Sequence, residues 1–330
     1  MSQPLLHPLR FEPIYQYRLW GGRRLADLLT APLPGDSPIG EAWVLSDRED
    51  YPSRVANGPL KGQTIAELLD RFPAQMMGKL TRRFRRFPLL LKFLDAREMV
   101  SVQVHPSDAH RDLLPAGESA KTEAWVVLEA GPKSRIYAGL RPGVTEAGLR
   151  QAIASGGVAD QLAYITPVPG DAVFIPAGTV HSLGGGIVLF EVQQNSDVTF
   201  RLYDWGHIDA KTGQPRPLQV DQAFACIDFA ARAAGPVGPV VEATTPVRRE
   251  RLFQCEHFRL WRLSGQSQFA AGATDVPRAL VCIEGAGQIE HDGVVYAVGK
   301  GDVWLLPAAV GPCAFRPCSI VSVLEIEIPE

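Results

Sequence analysis

Two segments of the chain share one pattern, and this repetition restricts the folds that the chain can adopt. PGDAVFIPAG begins at Pro169 and KGDVWLLPAA begins at Lys300. Each has Gly-Asp, then a short apolar run, then a proline five residues after the aspartate. A second pair of segments also matches: EAWVVLEAG begins at Glu123, and RALVCIEGAG begins at Arg278. Short apolar runs closed by Gly and Pro are typical of buried strands, so the repeat predicts two similar β-units.

The rest of the chain fits a mainly β protein with a few short helices. Thr64–Phe72 begins with a capping box, in which Glu67 follows Thr64 by three residues. Thr145–Gly157 has helical spacing and a final glycine pair that would end the helix. Elsewhere short strands joined by Gly and Pro turns prevail, which favours jelly-roll β-barrels.

A stretch rich in Pro and Gly, GPVGPVVEATTPV at 235–247, separates the two copies of the repeat. We therefore expect a first domain over residues 1–234 that carries the helical segments, a linker over 235–247, and a smaller second domain over 248–330.

The segment SVQVHPSD places two metal-capable side chains on one face of a strand. Strand side chains alternate, so Gln103 and His105 share a face. Glu123 follows in a further predicted strand, and His181 comes just after the strand and turn of GDAVFIPAG. Singly, such residues are more often structural than ligands. Together, one amide oxygen, two imidazoles and one carboxylate predict a site for one divalent metal ion per chain, most simply zinc.

The second copy of the repeat lacks these side chains. When the match is continued, Glu123 falls on Arg278 and His181 falls on Pro312. We therefore predict that the second unit keeps the scaffold, binds no metal and performs no chemistry.

Composition excludes several kinds of partner. A net charge of −3 gives no reason to expect nucleic-acid binding. No uncharged apolar run reaches the roughly 18 residues that a membrane span needs. The segment MSQPLLHPLRF lacks the features of a signal peptide. Five dispersed cysteines without a C-x-x-C pair predict reduced thiols, hence a cytoplasmic protein.

Several segments together carry a resemblance to a known family. They occur in one order between about residues 11 and 230 and are WGGRRL, LLLKFLDA, QVHPSD, KTEAW, IPAGTVHSLGGG and FEVQQNSDVTFRLYDW. This set resembles the type I phosphomannose isomerases, which are zinc-dependent enzymes with the cupin fold. The matching family residues hold zinc, which carries over to Gln103, His105, Glu123 and His181. The family's assigned active-site arginine matches Arg201.

The resemblance implies two cupin-like barrels and an aldose–ketose isomerase acting on a small sugar phosphate. Its reaction would interconvert mannose 6-phosphate and fructose 6-phosphate through an enediolate, aided by the metal as a Lewis acid. A metal-dependent cupin oxygenase and a non-catalytic sugar-binding cupin are the alternatives. A glutamine ligand and the sugar-isomerase segments count against the first, and the intact ligand set counts against the second.

Two cations are the predicted catalytic residues. Arg201 alternates with Thr199 and Tyr203, and its pKa above about 12 makes it a poor base. We expect it to stabilise the enediolate or to orient the substrate. Lys121 lies two residues before Glu123, so it shares a strand face with a ligand. It would contact a hydroxyl or phosphate group, or carry a proton.

Five more residues are predicted to bind the substrate. Trp20 belongs to the family's W-G-G segment, and Ser101 begins the ligand strand. Lys92 interrupts an apolar run, so it either snorkels to solvent or faces a polar cavity. Glu191 and Asp197 precede Arg201 and are rival candidates for the proton-transfer base.

Overall fold

Short β-strands dominate the described part of the chain, residues 6–330 of a computed structural model. These strands form four sheets, with few helices between them, so the prediction of a mainly β protein is confirmed. No helix in this range is long and apolar enough to cross a bilayer. Residues 1–5 lie outside the described part; they include the start of the first expected domain and of the segment MSQPLLHPLRF.

The first half of the chain forms two sheets that pack face to face. The six-stranded sheet has the order β2 (Ile14–Gly22), β3 (Ile39–Leu45), β4 (Leu89–Ala96), β11 (Ile187–Gln194), β6 (Glu123–Ala130) and β9 (Ala172–Ile175). The five-stranded sheet has the order β12 (Phe200–Tyr203), β5 (Val102–Val104), β10 (His181–Gly184), β7 (Arg135–Leu140) and β8 (Leu162–Ile165). We call this pair of sheets the first sandwich.

Residues 240–327, together with the early strand Leu9–Arg10, form the second sandwich. Its seven-stranded sheet has the order β1 (Leu9–Arg10), β20 (Val303–Leu306), β17 (Arg278–Glu284), β22 (Val321–Glu327), β15 (Arg259–Gly265), β14 (Arg248–Gln254) and β13 (Val240–Ala243). Its four-stranded sheet has the order β16 (Phe269–Ala271), β21 (Cys313–Pro317), β18 (Ala286–His291) and β19 (Val294–Gly299).

The α-helices of residues 6–330 are short and lie between strands. They are α1 (Leu25–Leu28), α2 (Ile65–Arg71), α3 (Pro73–Met77), α4 (Glu146–Ser155) and α5 (Val220–Cys226). The capping box predicted for α2 is present, with Thr64 and Glu67 satisfying each other's backbone N–H groups. Helix α4 starts after Thr145 and ends at Gly156, which has the left-handed conformation that favours glycine.

The six-stranded sheet is buried on both faces. One face, with Leu94 and Val127, packs against the five-stranded sheet through residues such as Ile136. The opposite face, with Phe93 and Phe190, joins a large core that continues into the second sandwich. The five-stranded sheet turns its other face to α4 and α5. Layering of this kind explains why the sequence runs of these strands are almost wholly apolar.

The sequence repeat has the same strand register in both sandwiches. In the first, β6 pairs with β9 so that Glu123 lies opposite Ile175. In the second, β17 pairs with β20 so that Arg278 lies opposite Leu306. The equivalence of Glu123 and Arg278 that the sequence predicts therefore holds in the fold.

The division into domains at 235–247 stays a prediction. Two strands do not follow the predicted bounds. Strand β1 belongs to the chain's first segment but pairs with β20 of the second sandwich. Strand β13 lies inside the expected linker and pairs with β14. Part of the linker is thus an edge strand of the seven-stranded sheet.

Because Arg278 replaces a ligand position, it tests whether the second sandwich takes part in catalysis. Its guanidinium is mostly buried and pairs with Glu327, which also pairs with Arg259 at 2.9 Å. We expect Arg278→Met to lower the free energy of unfolding by about 1–2 kcal/mol while kcat/KM stays within about twofold. His291→Ala, a second substitution in the second sandwich, should likewise leave kcat/KM within about twofold. A large loss of activity at unchanged melting temperature would contradict the assignment.

Candidate metal centre and active site

Three buried side chains that suit a metal ion meet between the sheets of the first sandwich. His105 follows β5, His181 begins the neighbouring β10, and Glu123 begins β6 in the facing sheet. One ligand atom from each lies within 4.8 Å of the others. Strand pairing brings the two histidines together, because His181 lies opposite Gln103 in the ladder.

The atoms of this cluster lack the partners that buried polar atoms normally have. His105 Nε2 lies 3.4 Å from Glu123 Oε2, and His181 Nε2 lies 3.3 Å from Glu123 Oε1. Neither His105 Nε2 nor Glu123 Oε1 makes a hydrogen bond, although both are buried. A divalent cation among them would accept these lone pairs, so the residues present fit a metal ion.

Both imidazoles are kept in the neutral form that binds metals. Burial, aided by the positive charge of Lys121, lowers the pKa of His105 to about 3. Burial also lowers the pKa of His181. The Nδ1 of His181 donates to the carbonyl of Thr179 at 2.8 Å, which leaves Nε2 with its lone pair toward the cluster.

Gln103 lies beside the cluster but is not oriented as a ligand. Its Nε2 lies 3.2 Å from His181 Nε2, and its Oε1 accepts a hydrogen bond from Ser101 Oγ at 3.1 Å. A half-turn of the amide group would exchange these two atoms and present the oxygen instead. The fourth predicted ligand is therefore within reach of the other three.

Lys121 forms a buried ion pair with the carboxylate ligand. Its Nζ lies 2.9 Å from Glu123 Oε2. Burial alone would lower the pKa of Lys121, but the charges of Glu123 and Glu191 raise it above its ordinary value. Burial would likewise raise the pKa of Glu123, but Lys121 and His105 hold it well below its usual range. Both partners are therefore charged near neutral pH.

A cavity of about 440 Å³ opens beside this ion pair. The predicted residues that line it are Trp20, Lys92, Ser101, Gln103, Lys121, Glu123, Glu191, Asp197 and Arg201. The other two predicted residues, His105 and His181, contact Glu123. The fold therefore gathers all of the predicted site residues around one cavity.

Lys92 faces this cavity rather than reaching out to solvent. It is 2% exposed, and its Nζ lies 3.6 Å from both Glu41 Oε2 and Glu191 Oε1. It also lies 3.8 Å from Asp197 Oδ1 and over the ring of Trp43 at 5.0 Å. Several carboxylates thus offset the cost of burying this ammonium group.

The two candidate bases differ in their surroundings. Glu191 is 4% exposed and accepts a hydrogen bond from Trp125 Nε1 at 2.9 Å. Burial, together with the negative charge of Glu123, raises the pKa of Glu191 to about 7. The side chain of Asp197 is 41% exposed. Glu191 is therefore the carboxyl group that changes protonation near neutral pH.

Arg201 is a cation without a carboxylate partner in the described part of the chain. It lies opposite Gln103 in the pairing of β12 with β5. Its Nη1 donates to the carbonyl of Pro217 at 2.9 Å, while its Nε is buried and unpaired. Burial, aided by the charge of Arg216, lowers the pKa of Arg201 to about 10. It remains positive at neutral pH and is free to bind an anion.

Close packing around the W-G-G segment explains how Trp20 reaches the cavity. A Cβ atom on Gly21 would lie 2.4 Å from the backbone nitrogen of Gly40, and one on Gly22 would lie 2.3 Å from Asp95 Oδ2. Asp95 is fully buried and is held by Arg24 at 2.8 Å. Glycine is therefore needed at both positions.

The sequence analysis missed several polar residues that line the cavity, namely Tyr17, Arg18, Glu41, Thr199, Asp209, Arg216 and Gln219. Alternation could have indicated two of them, since Arg18 precedes Trp20 by two residues and Thr199 precedes Arg201 by two. Nothing in the local sequence marks Asp209 or Arg216, because they lie in an irregular loop.

Comparisons with known proteins agree on one family. The model for the catalytic domain of type I phosphomannose isomerases matches residues 9–123. Mannose-6-phosphate isomerase ManA of Bacillus subtilis is 34% identical over 316 residues, which covers 92% of this chain and 94% of that protein. A mannose-6-phosphate isomerase of Streptococcus mutans is 32% identical over 309 residues and covers 93% of this chain and 94% of that protein.

A solved structure extends this likeness to the whole fold. The crystal structure of the mannose 6-phosphate isomerase from Bacillus subtilis matches with a TM-score of 0.89 at 30% identity. The match covers 97% of this chain and 99% of that one. Identity over nearly the full length confirms the predicted resemblance and the cupin fold. The chain belongs to the type I phosphomannose isomerase family.

Proposed function

We propose that the chain interconverts mannose 6-phosphate and fructose 6-phosphate. The observation that carries this proposal is the buried cluster of His105, Glu123 and His181, which adjoins a cavity lined with charged groups. The relatives named above are mannose-6-phosphate isomerases, and family membership speaks against a cupin oxygenase or a non-catalytic sugar-binding protein.

One zinc ion per chain is the proposed cofactor, held by Gln103, His105, Glu123 and His181. The donor set of imidazoles, a carboxylate and an amide suits a borderline-soft divalent ion. Bound there, the ion would supply Lewis-acid polarisation of the sugar carbonyl.

The protein's own groups would manage the charge and the proton. Arg201, the unpaired cation, would stabilise the negative enediolate or orient the sugar. Lys121 keeps Glu123 ionised, and its ammonium group faces the cavity, where it can donate a hydrogen bond to the substrate oxygen. Glu191 would move the proton between C1 and C2, because its pKa lies near neutral pH.

The remaining cavity residues would bind and orient the sugar. Trp20 supplies an apolar wall, and Ser101 supplies a hydroxyl beside the ligand strand. Lys92 and Asp197 offer a cation and an anion that can bind sugar hydroxyls.

We also propose a cytoplasmic location. It is supported by the cysteines, all of which are free thiols: Cys226, Cys255, Cys282, Cys313 and Cys318. The proposed division into a catalytic domain at 1–234 and a degenerate second domain at 248–330 rests on the repeat and its register.

The first test is turnover of the proposed substrate. Proton NMR should show mannose 6-phosphate converting to fructose 6-phosphate. Free mannose lacks the dianionic group, so its kcat/KM should be lower by about two orders of magnitude or more on the same preparation. Equal values for the two sugars would indicate an isomerase of free sugars.

The second test concerns the metal. Elemental analysis should find about one zinc-class ion per folded chain. His181→Ala should lose both the ion and the activity while keeping its melting transition, and a chelator should abolish wild-type activity until zinc is restored. His257→Ala, a histidine of the second sandwich, is the control that should retain the ion. Full metal occupancy in His105→Ala, Glu123→Ala and His181→Ala alike would refute the site.

The third test separates the two carboxylates. A base acts when deprotonated, so wild-type kcat/KM should rise with pH through a midpoint near the pKa of about 7 for Glu191 and level off above it. A bound cation would offset the charge of Glu123 and move this midpoint lower. Glu191→Gln should remove the acidic limb and lower kcat by about 10²- to 10⁴-fold with metal retained.

Asp197→Asn is the matched comparison, because it also neutralises a carboxylate of the cavity. It should keep the acidic limb of the pH profile. If Asp197→Asn abolished that limb and Glu191→Gln preserved it, the roles would be reversed.

A further inference from the structure

A loop at residues 204–219 connects β12 to α5 and lies at the open side of the cavity. Strand β12 is an edge strand of the five-stranded sheet, and β2 is an edge strand of the six-stranded sheet. Tyr17 on β2 donates a hydrogen bond from its hydroxyl to Asp209 Oδ1 of the loop at 2.9 Å. The loop therefore spans the gap between the two sheets where neither has a further strand.

Within this loop, Arg216 is fixed with its guanidinium at the cavity. Its Nε donates to Asp204 Oδ2 at 2.8 Å, and its Nη2 donates to Asp204 Oδ1 at 2.5 Å. Asp204 is 7% exposed, and the Arg216 side chain is 19% exposed. This two-point contact leaves Arg216 Nη1 without a partner in the described chain. An arginine held on one edge and open on the other is pre-organised to bind an anion.

The other cations of the cavity are already matched by carboxylates. Arg18 makes a two-point contact with Glu41, at 2.9 and 3.1 Å. Lys121 pairs with Glu123, and Lys92 lies among carboxylates. Arg201 is therefore the cavity cation that lacks a carboxylate partner in residues 6–330, while Arg216, although paired with Asp204, keeps an open edge with N–H donors.

A further carboxylate of this cavity, that of Asp209, is held by other groups. Asp209 lines the same part of the cavity, but its Oδ1 accepts from the Tyr17 hydroxyl and from the Lys211 backbone N–H at 2.8 Å. Lys211 Nζ lies over the Tyr17 ring, 3.5 Å from its centre, on an exposed part of the loop. Asp209 thus fastens the loop and is not free to neutralise Arg201.

The distance from the metal cluster suits the far end of a sugar phosphate. Arg201, Gln103 and His181 lie opposite one another on three adjacent strands. Neighbouring strands are about 4.8 Å apart, so the Arg201 backbone is about 10 Å from that of His181. The carbon chain of a hexose fits between a carbonyl at the cluster and a phosphate at Arg201.

We propose that Arg216 completes, with Arg201, the subsite for the substrate's phosphate group, and that it sets the preference for phosphorylated over free sugar. The inference rests on the proposed isomerase function. A phosphate monoester carries about −1.5 to −2 charges at neutral pH. Arg201 supplies the uncompensated positive charge, and the open edge of Arg216 supplies further N–H donors that fit the phosphate oxygens. Tyr17 and Asp204 are positioning residues, which hold the loop and Arg216.

The test compares kcat/KM for mannose 6-phosphate and mannose in Arg216→Leu. We expect the ratio of the two values to fall about 100-fold, as for a lost charged contact, with most of the change in KM for the phosphorylated sugar. Lys133→Met, which removes an exposed cation from the turn between β6 and β7, away from the cavity, should leave both values unchanged. An unaltered ratio in Arg216→Leu, even with lower activity, would overturn the proposal.

Binding of inorganic phosphate gives a readout that does not need catalysis. Calorimetry should show phosphate binding to the wild type and at least about tenfold weaker binding to Arg216→Leu. If the wild type bound phosphate in this way but did not isomerise mannose 6-phosphate, the proposed function would fail while the subsite stood. No phosphate binding to the wild type, or equal binding to both proteins, would refute the subsite.

A conservative variant keeps the proposal testable if Arg216→Leu does not fold. Arg216→Lys keeps the charge but cannot make the two-point contact with Asp204, so the ratio should fall between those of the wild type and Arg216→Leu. If Arg216→Leu did not fold, a wild-type ratio in Arg216→Lys together with wild-type phosphate binding would count against the proposal.

Discussion

The buried carboxylate of Glu123 is the group on which the rest of the site depends. Glu123 is the first residue of β6, in a sheet that is covered on both faces, and an unpaired charge there would be very costly. Lys121 offsets part of that charge, and the two imidazoles that approach from the facing sheet are neutral. Because those imidazoles carry no charge, they offer lone pairs beside the carboxylate, and the cluster fits a divalent cation.

From Glu123 the charges alternate in sign along the wall of the cavity. Lys121, Glu191, Lys92 and Glu41 follow one another, and Arg18 ends the series. Each member stabilises its neighbours, and so a change at one position alters the protonation of the next. Within this series, Glu191 has a pKa near neutral pH, which suits a group that transfers protons. The network therefore makes burial of its cations tolerable and also contains the candidate base of the proposed reaction.

Sequence patterns were sufficient for those parts of the molecule that depend on periodicity. Alternation in SVQVHPSD gave Gln103 and His105 a common face, and the repeat gave the equivalence of Glu123 with Arg278, which the strand register bears out. Two kinds of feature were beyond such patterns. One is the partner of a buried charge: Glu41 pairs with Lys92 across strands far apart in sequence. The other is an irregular loop, where the position of Arg216 depends on a contact with Asp204 rather than on strand geometry.

The core shared by the two sandwiches has a consequence for how such a chain can change. The six-stranded sheet uses its outer face to pack against the second sandwich, where Phe174 meets Phe253 and Phe258. On the proposed assignment, the positions of Pro312 and Arg278 need not hold an ion, while the residues that meet the first sandwich are constrained by shape. The second sandwich would then serve the first through the surface that it covers and not through its own chemistry.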